Sequence, residues 1–189
     1  MLYNQHNINI ARIASSNSSR PEIAGVFFTS KLTCATDGVR LLEMSVPADL
    51  NVADYPQQDG ISAMRGCKPF IVPASELLRV KIPSKASLPV LQAMAIKHID
   101  DRKVEVMTND MIALQQWTLK RIEGQFPDYE KIFPIGEPVA EVCLNGLYLA
   151  DLLKSLAVLD RASAVTIKFY GSDKPVVLEA GNDQQRGRG

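Results

Sequence analysis

Long apolar runs and an excess of charge of either sign are missing from this sequence. No apolar run approaches the ~20 residues of a membrane-spanning helix, and the N-terminal stretch MLYNQHNINIARIA has neither the basic start nor the apolar core of an export signal. Lys and Arg number 21, as do Asp and Glu, so the formal net charge is zero. We therefore expect a cytoplasmic protein without a membrane partner, in which any contact with nucleic acid comes from local charge.

Thiol pairs, metal motifs and catalytic motifs are scarce as well. Cys34, Cys67 and Cys143 are an odd set without CxxC spacing, and we interpret them as buried free thiols in a reducing compartment. His6 and His98 belong to no HExxH motif, and the sequence has no nucleophile elbow or phosphate-binding loop. The sequence therefore predicts no enzyme, no cofactor and no metal site.

The patterning that is present is that of an α+β protein with 46% apolar residues, enough for a sizeable core. In the first third, helical spacing over 9–16 is followed by predicted strands at 26–29, 31–35 and 41–46. The polar stretch 47–66 predicts a connecting loop. The same order then recurs twice. The second repeat has a strand at 70–73, a helix at 74–82 and strands at 90–99, 103–108 and 111–122. The third has a strand at 140–146, a helix at 147–158 and strands at 164–170 and 175–179.

This repetition predicts the domain organisation. We expect a complete domain over residues 1–134, with halves at about 1–62 and 67–134, a final half-domain over 135–181, and a disordered polar tail over 182–189. Each half would consist of a helix and an antiparallel β-meander, with the helices covering one face of the sheet.

Two motifs connect this plan to a known family. RIEGQFPDYEKIFP, residues 121–134, resembles the signature that closes the second domain of the bacterial DNA sliding clamp, the DNA polymerase III beta subunit. ATDGVRLLEMSVP, residues 35–47, resembles an earlier hairpin of that domain. FIVPASELL and LNGLYLADLLKSL resemble further segments, so that the resemblance covers most of residues 9–180. It implies the DNA-clamp (processivity) fold.

The sequence departs from the family in the number of domains. The family's chains have three domains of two halves each, whereas the halves here correspond to a middle domain and the last half of the final domain. The family's closing strand is not visible after Glu179. We expect a shortened relative or a fragment, and a homo-oligomer if a ring is formed.

The resemblance implies that duplex DNA passes, without sequence readout, through a ring lined by helices. Basic residues on or beside the predicted helices are the candidates for this surface, namely Arg12, Arg20, Arg79, Lys81, Lys85, Lys154 and Arg161. The alternative for each of them is an ordinary solvated helix face. A modest positive surface is enough for a ring, because a closed ring holds DNA without gripping it.

The resemblance also implies an outer cleft that receives short hydrophobic peptides of the DNA polymerase and the clamp loader. The corresponding residues are Thr36, Gly38, Val39, Arg40, Leu41, Pro127, Lys131 and Ile132, with Asp173 and Pro175 as weaker matches. Val39, Leu41 and Ile132 would form the apolar floor, and the two cations would meet acidic or carbonyl groups of the peptide.

Two alternatives to this site and function stay open in the sequence. Phe126 and Tyr129 can be structural residues that pack the junction between units, with Asp128 capping the segment after it. The whole protein can also be an adaptor or decoy that keeps the clamp fold and peptide cleft but does not encircle DNA. Retention on circular but not on linear DNA would distinguish the clamp from the adaptor.

Overall fold

In a computed structural model of the chain, residues 1–17, 19–56, 68–83, 88–156, 164–171, 174–181 and 186–189 are described. Contacts within the chain divide it into a first unit, Met1–Phe133, and a second unit, Pro134–Gly189. None of the helices in these ranges is long and apolar enough to cross a membrane.

The first unit contains eight strands and two short α-helices in its described part. In chain order they are β1 (Leu2–Asn4), α1 (Gln5–Asn9), β2 (Gly25–Phe28), β3 (Leu32–Thr36), β4 (Leu41–Ser45), β5 (Phe70–Pro73), α2 (Ala74–Leu77), β6 (Ala93–His98), β7 (Lys103–Asn109) and β8 (Leu114–Lys120). Short 3-10 turns occur at Ile10–Arg12, Pro21–Ile23, Val52–Asp54, Pro89–Gln92 and Tyr129–Ile132.

These strands form two four-stranded antiparallel sheets, in the orders β4-β3-β2-β5 and β1-β6-β7-β8. A bridge between Ile71 and Ile122 joins β5 to the segment after β8, where the Ile122 N–H donates to the Ile71 carbonyl at 2.9 Å. Gly25 lies at this junction. A Cβ at Gly25 would lie 2.6 Å from Ile71 Cγ2 and 2.6 Å from the Val72 carbonyl oxygen, so the close approach of β2 and β5 requires glycine.

The core of the first unit lies between the sheets and the helices. Ile8 of α1 and Leu77 of α2 are buried in one cluster with Val26, Phe28 and Val104. Side chains alternate between the two faces of a strand, so Phe27 lies on the opposite, outer face of β2, where it belongs to a separate cluster. The helices therefore cover one face of this sheet and leave the outer face for other residues.

The second unit contains α3 (Gly146–Leu156), β9 (Thr166–Lys168), β10 (Val177–Gly181) and β11 (Arg186–Arg188) in its described part. The strands form an antiparallel sheet in the order β11-β10-β9. Leu149, Leu153 and Leu156 recur along one face of α3 and pack with Leu178 and Ala180 of β10. This is a half-domain with one helix on one small sheet.

The predicted α+β plan, with helices and antiparallel meanders, is confirmed, and so are the strands around the hairpins. The predicted bounds of the two helices in the first unit are wrong, whereas the helix predicted at 147–158 is found as α3, with residues 157 and 158 outside the described residues. Asn4 caps the first helix through a capping box, so α1 begins at Gln5 and passes into a 3-10 turn at Ile10. The predicted helix at 74–82 ends at Leu77, because Val80 and Ile82 enter the core from a non-helical segment.

Three predictions at the strand level are also wrong. Strand β1, which pairs with β6, has no counterpart among the predicted strands. The predicted strand at 140–146 is absent: residues 140–145 are exposed and have no strand partner among the described residues. The tail is not disordered at Arg186–Arg188, which pair with Glu179–Gly181 as β11, and residues 182–185 lie outside the described residues.

Candidate functional site

The turn between β3 and β4 is held by the carboxylate of Asp37. Its Oδ1 accepts hydrogen bonds from the Val39 N–H at 2.9 Å and the Arg40 N–H at 2.7 Å. Its Oδ2 accepts from Nε and Nη2 of Arg40 at 3.0 and 2.8 Å. These bonds from the Arg40 and Val39 backbone and from the guanidinium hold the pKa of Asp37 well below its usual range. The Arg40 cation is therefore already paired within the turn.

Thr36 and Gly38 complete the same turn. Thr36 Oγ1 accepts from the Gly38 N–H at 3.0 Å and donates to the Arg40 carbonyl at 2.7 Å. Gly38 has φ 91°, in the left-handed region where glycine is favoured. The result is an ordered turn that presents Val39, 93% exposed, to solvent.

The outer face of the first sheet is covered by the aromatic residues of the 121–134 motif. Phe126 and Tyr129 are buried in a cluster with Cys34 and Ile71, which we call the outer-face cluster. The Phe126 ring stacks on Phe27 with centroids 4.9 Å apart. The packing interpretation of Phe126 and Tyr129 is thus confirmed, and the surface on which they pack is the outer face of the first sheet.

The outer-face cluster keeps its ionisable groups neutral. Burial and then the neighbouring Glu43 carboxylate raise the pKa of the Cys34 thiol to about 12. Burial, followed by the charge of Glu43, also raises the pKa of Tyr129. Because only the thiolate is nucleophilic, Cys34 is an inert packing residue, as predicted. Cys143, in contrast, is exposed, which makes its predicted burial wrong, and Cys67 lies outside the described residues.

The 3-10 turn Tyr129–Ile132 places two further candidate residues. Lys131 Nζ lies 2.6 Å from Asp128 Oδ2, and this hydrogen-bonded ion pair raises the pKa of Lys131. Asp128 makes no side-chain cap hydrogen bond to the turn, so its expected capping role is wrong. Ile132 is 67% exposed. As in the Arg40 turn, the cation is paired locally while an apolar side chain faces solvent.

The two segments that carry the candidate cleft residues of the first unit both reach the outer-face cluster. Leu41, directly after the turn, packs against the outer-face cluster that contains Phe126 and Tyr129. Pro127 lies between these aromatics, and its carbonyl accepts from the Tyr129 N–H at 2.8 Å. We call residues 36–41 and 127–132 together the hairpin surface.

Arg20, which is among the candidate DNA-facing residues, lies beside the hairpin surface. A Cβ at Gly38 would lie 3.8 Å from Nη1 of Arg20, so the guanidinium is next to the turn. Arg20 is paired with Glu22, at a long 3.9 Å. No spacing in the sequence indicates this neighbour, because Arg20 and Gly38 meet only through the fold.

The second unit has an apolar groove of about 710 Å³, within the size range of ligand sites. Its lining includes Tyr148, Leu152, Phe169, Val176 and Leu178.

Asn145 also lines this groove, and its Oδ1 accepts from the N–H groups of Leu147 and Tyr148, which caps α3. Tyr148 is not among the predicted site residues. The sequence does contain a signal for the start of its helix, because Asn145 is a typical N-cap residue before an apolar helical pattern. Pro175 lies between the lining residues Lys174 and Val176, and Asp173 lies outside the described residues.

The candidate DNA-facing residues fall into two groups. Arg12, Arg79 and Lys81 are exposed, follow the two helices of the first unit, and belong to none of the ion pairs among the described residues. Lys154 is paired with Asp151 at 3.6 Å. Lys85 and Arg161 lie outside the described residues.

The acid nearest in sequence to Arg79 and Lys81 is Glu76. Its Oε2 accepts from the Lys120 N–H at 3.0 Å, which directs the carboxylate toward β8.

In the described part of the chain, no three His, Cys, Asp or Glu side chains gather as they would around a metal ion.

No protein-family model matches this chain, and a search of the curated proteins finds no match either. Solved structures do match. A beta sliding clamp from C. crescentus superposes with a TM-score of 0.63 at 17% identity, over 100% of this chain and 48% of the clamp. A sliding clamp from Bartonella birtlesii, solved bound to griselimycin, superposes with a TM-score of 0.61 at 18% identity, over 97% of this chain and 46% of the clamp.

A DNA polymerase III beta subunit from Eubacterium rectale gives a TM-score of 0.60 at 12% identity, again over 100% of this chain and 48% of the solved one. The chain thus spans about half the length of these solved proteins. At this level of identity the likeness establishes the fold. The chain has the fold of the bacterial DNA polymerase III beta sliding clamps.

Proposed function

We propose that this protein is a DNA sliding clamp, a non-enzymatic polymerase processivity factor that works in the cytoplasm. The observation that carries the proposal is the distribution of side chains on the clamp fold. Among the described residues, the cations that follow the helices of the first unit belong to no ion pair, whereas the apolar hairpin surface carries two cations, Arg40 and Lys131, that are paired with acids three residues earlier. These are the properties that a DNA-facing side and a peptide-binding side need.

The proposed DNA contact is weak and independent of sequence. Arg12, Arg79 and Lys81 supply positive charge that no acid in the described part of the chain neutralises through an ion pair. Each phosphate contact releases counterions, so the contact weakens as salt rises. A ring needs no tight grip, because topology holds the DNA, and this is compatible with the zero net charge of the chain.

The proposed peptide sites are the hairpin surface and the groove of the second unit. Their ligands are short hydrophobic segments of the DNA polymerase and the clamp loader. Val39 and Ile132 are the exposed apolar contacts of the hairpin surface, and Tyr148 and Phe169 are those of the groove. Because Arg40 and Lys131 are paired internally, their proposed role changes from binding the peptide's acids to ordering the surface.

Encirclement by a chain about half as long as the solved clamps requires several copies. We therefore propose a homo-oligomeric ring around duplex DNA. The test is retention on circular DNA: a topological clamp stays on a closed circle and slides off after the circle is linearised.

The same coverage of about half a clamp favours one alternative, an adaptor that binds replication proteins without encircling DNA. This alternative uses the same peptide sites but needs neither a ring nor the unpaired cations. Peptide binding by a protein that is not retained on circular DNA would identify the adaptor.

A further inference from the structure

His98, at the end of β6, lies in a socket where the two sheets of the first unit meet. The Phe70 ring of β5 packs edge-on against the imidazole, with centroids 4.6 Å apart and an interplanar angle of 81°. The Arg121 guanidinium lies over the same Phe70 ring, 5.4 Å from its centroid. Nε2 of His98 is buried and has no hydrogen-bond partner among the described residues.

The neighbours of the imidazole fix its tautomer. Nδ1 of His98 lies 3.5 Å from Nη1 of Arg121. A guanidinium can only donate hydrogen bonds, so Nδ1 acts as the acceptor and the neutral ring carries its hydrogen on Nε2. A second proton must therefore bind at Nδ1, directly opposite the arginine.

The groups that face His98 are unfavourable for a positive charge. Burial, then the Arg121 charge and the amino group of Met1, lower the pKa of His98 below its ordinary value. Lys68 is a further cation in the lining of the small adjoining cavity, which is about 10 Å³ in volume. No carboxylate is among these neighbours in the described part of the chain.

The socket is connected to the hairpin surface through β5. Phe70 contacts His98 on the inner face, and the next residue, Ile71, belongs to the outer-face cluster with Phe126 and Tyr129. Ile71 is also bridged to Ile122, directly after Arg121. A displacement of Arg121 or β5 would therefore reach the segment that places the hairpin surface.

We propose that His98 is an acid-sensitive latch: a proton bound at Nδ1 repels Arg121, loosens the junction of the two sheets and weakens peptide binding at the hairpin surface. The last step rests on the proposed function, whereas the loosening itself does not. The unfolded chain takes up this proton more readily than the folded one, so the free energy of unfolding falls as pH drops below the ordinary histidine range.

The sequence offers a matched control, because it contains two histidines and His6 is exposed. Unfolding by urea is measured between about pH 7.5 and about pH 5.5, a window in which histidine titrates and most carboxylates do not. The wild type and His6→Gln should lose stability with acid, and His98→Gln should lose clearly less. Equal losses in all three proteins would overturn the latch.

A second measurement does not depend on the folding of a His98 variant. In His6→Gln the imidazole proton signals come from His98 alone, and their titration by NMR should have its midpoint below that of His6 in His98→Gln or in a short His6 peptide. A midpoint at or above the ordinary histidine value would overturn the proposal.

Peptide binding then separates the latch from the proposed function. A labelled hydrophobic clamp-binding peptide should bind at about pH 7.5 and lose about threefold or more in affinity at about pH 5.5, with a smaller loss in His98→Gln. Absence of binding at the higher pH would contradict the proposed function, while the unfolding data still test the latch. Binding with the same acid loss in both proteins would overturn the coupling to the hairpin surface.

Discussion

Phe27 and Phe126 lie ring on ring, with centroids 4.9 Å apart and an interplanar angle of 7°. One residue belongs to the central strand β2 and the other to the motif that resembles the clamp signature. Tyr129 completes the group, with its ring 6.0 Å from that of Phe126. The aromatic residues of the motif thus attach it to the sheet, and this attachment positions Pro127, Lys131 and Ile132.

Replacing Phe126 with alanine should therefore remove the ring packing on Phe27 and, with it, the support that positions Pro127, Lys131 and Ile132. We expect Phe126→Ala to lower the free energy of unfolding of the first unit by about 3–5 kcal/mol, the usual cost of a large-to-small core substitution. Urea denaturation measures the change. Phe133→Ala, at a position that is 50% exposed, is the control and should have a much smaller effect. Equal effects would show that Phe126 is not a core residue.

Gly25 should not tolerate even a methyl group. Besides its contacts with Ile71 and Val72, a Cβ would lie 2.8 Å from Ile122 Cδ1, so Gly25→Ala forces the sheet junction apart. We expect a loss of about 1–3 kcal/mol, as for other overpacked sites. Gly146→Ala is the control, because a Cβ added there has no atom within 4 Å. In thermal unfolding, the midpoint temperature of this variant should stay close to that of the wild type. A stable Gly25→Ala protein would contradict the described junction.

The hairpin surface makes a prediction for peptide binding. Val39→Asp and Ile132→Asp each place a charge where the peptide's apolar residue should pack, and we expect a loss of about tenfold or more, near the 1.4 kcal/mol that corresponds to one decade. Fluorescence polarisation with a labelled clamp-binding peptide measures this loss. Ile112→Asp, at a residue 95% exposed on the β7–β8 hairpin, is the control. If all three variants bind alike, the hairpin surface is not the peptide site.

Charge reversal tests the side that carries the helices. Replacing Arg12, Arg79 and Lys81 with glutamate should reduce retention on DNA and flatten its dependence on salt, because each lost phosphate contact lowers that slope by about one. The same number of reversals at Lys97, Lys103 and Lys120, on the sheet of β6 to β8, is the matched control. Equal losses in the two triple variants would indicate a nonspecific effect of net charge.

Local signals in the sequence were sufficient for the hairpins and for the motif-bearing segments. In Asp37-Gly38, the glycine adopts the positive φ of 91° that the turn needs, and the aspartate carboxylate accepts hydrogen bonds from two backbone N–H groups. Both properties can be predicted from the residue types. The pairing of Arg40 and Lys131 with acids three residues earlier was also readable from spacing.

Long-range contacts account for the features that the sequence did not reveal. Leu2 forms a strand only because it pairs with Ala95 of β6. Likewise, Arg186–Arg188 form a strand only because they pair with β10. The two helices of the first unit are short because tertiary packing, not helix propensity, decides where they end. The position of Arg20 beside Gly38 likewise depends on the fold, since no periodicity relates two residues in separate elements.

The central claim, that this chain forms a clamp around DNA, is tested most directly by retention on circular DNA. The labelled protein is loaded onto nicked circular duplex with a bacterial clamp loader, separated from free protein by gel filtration, and divided into samples with and without a restriction enzyme that cuts the circle once. We predict that the protein elutes with the intact circle and is released from the linear DNA. Failure to elute with the circle, or persistence on the linear form, would contradict the claim.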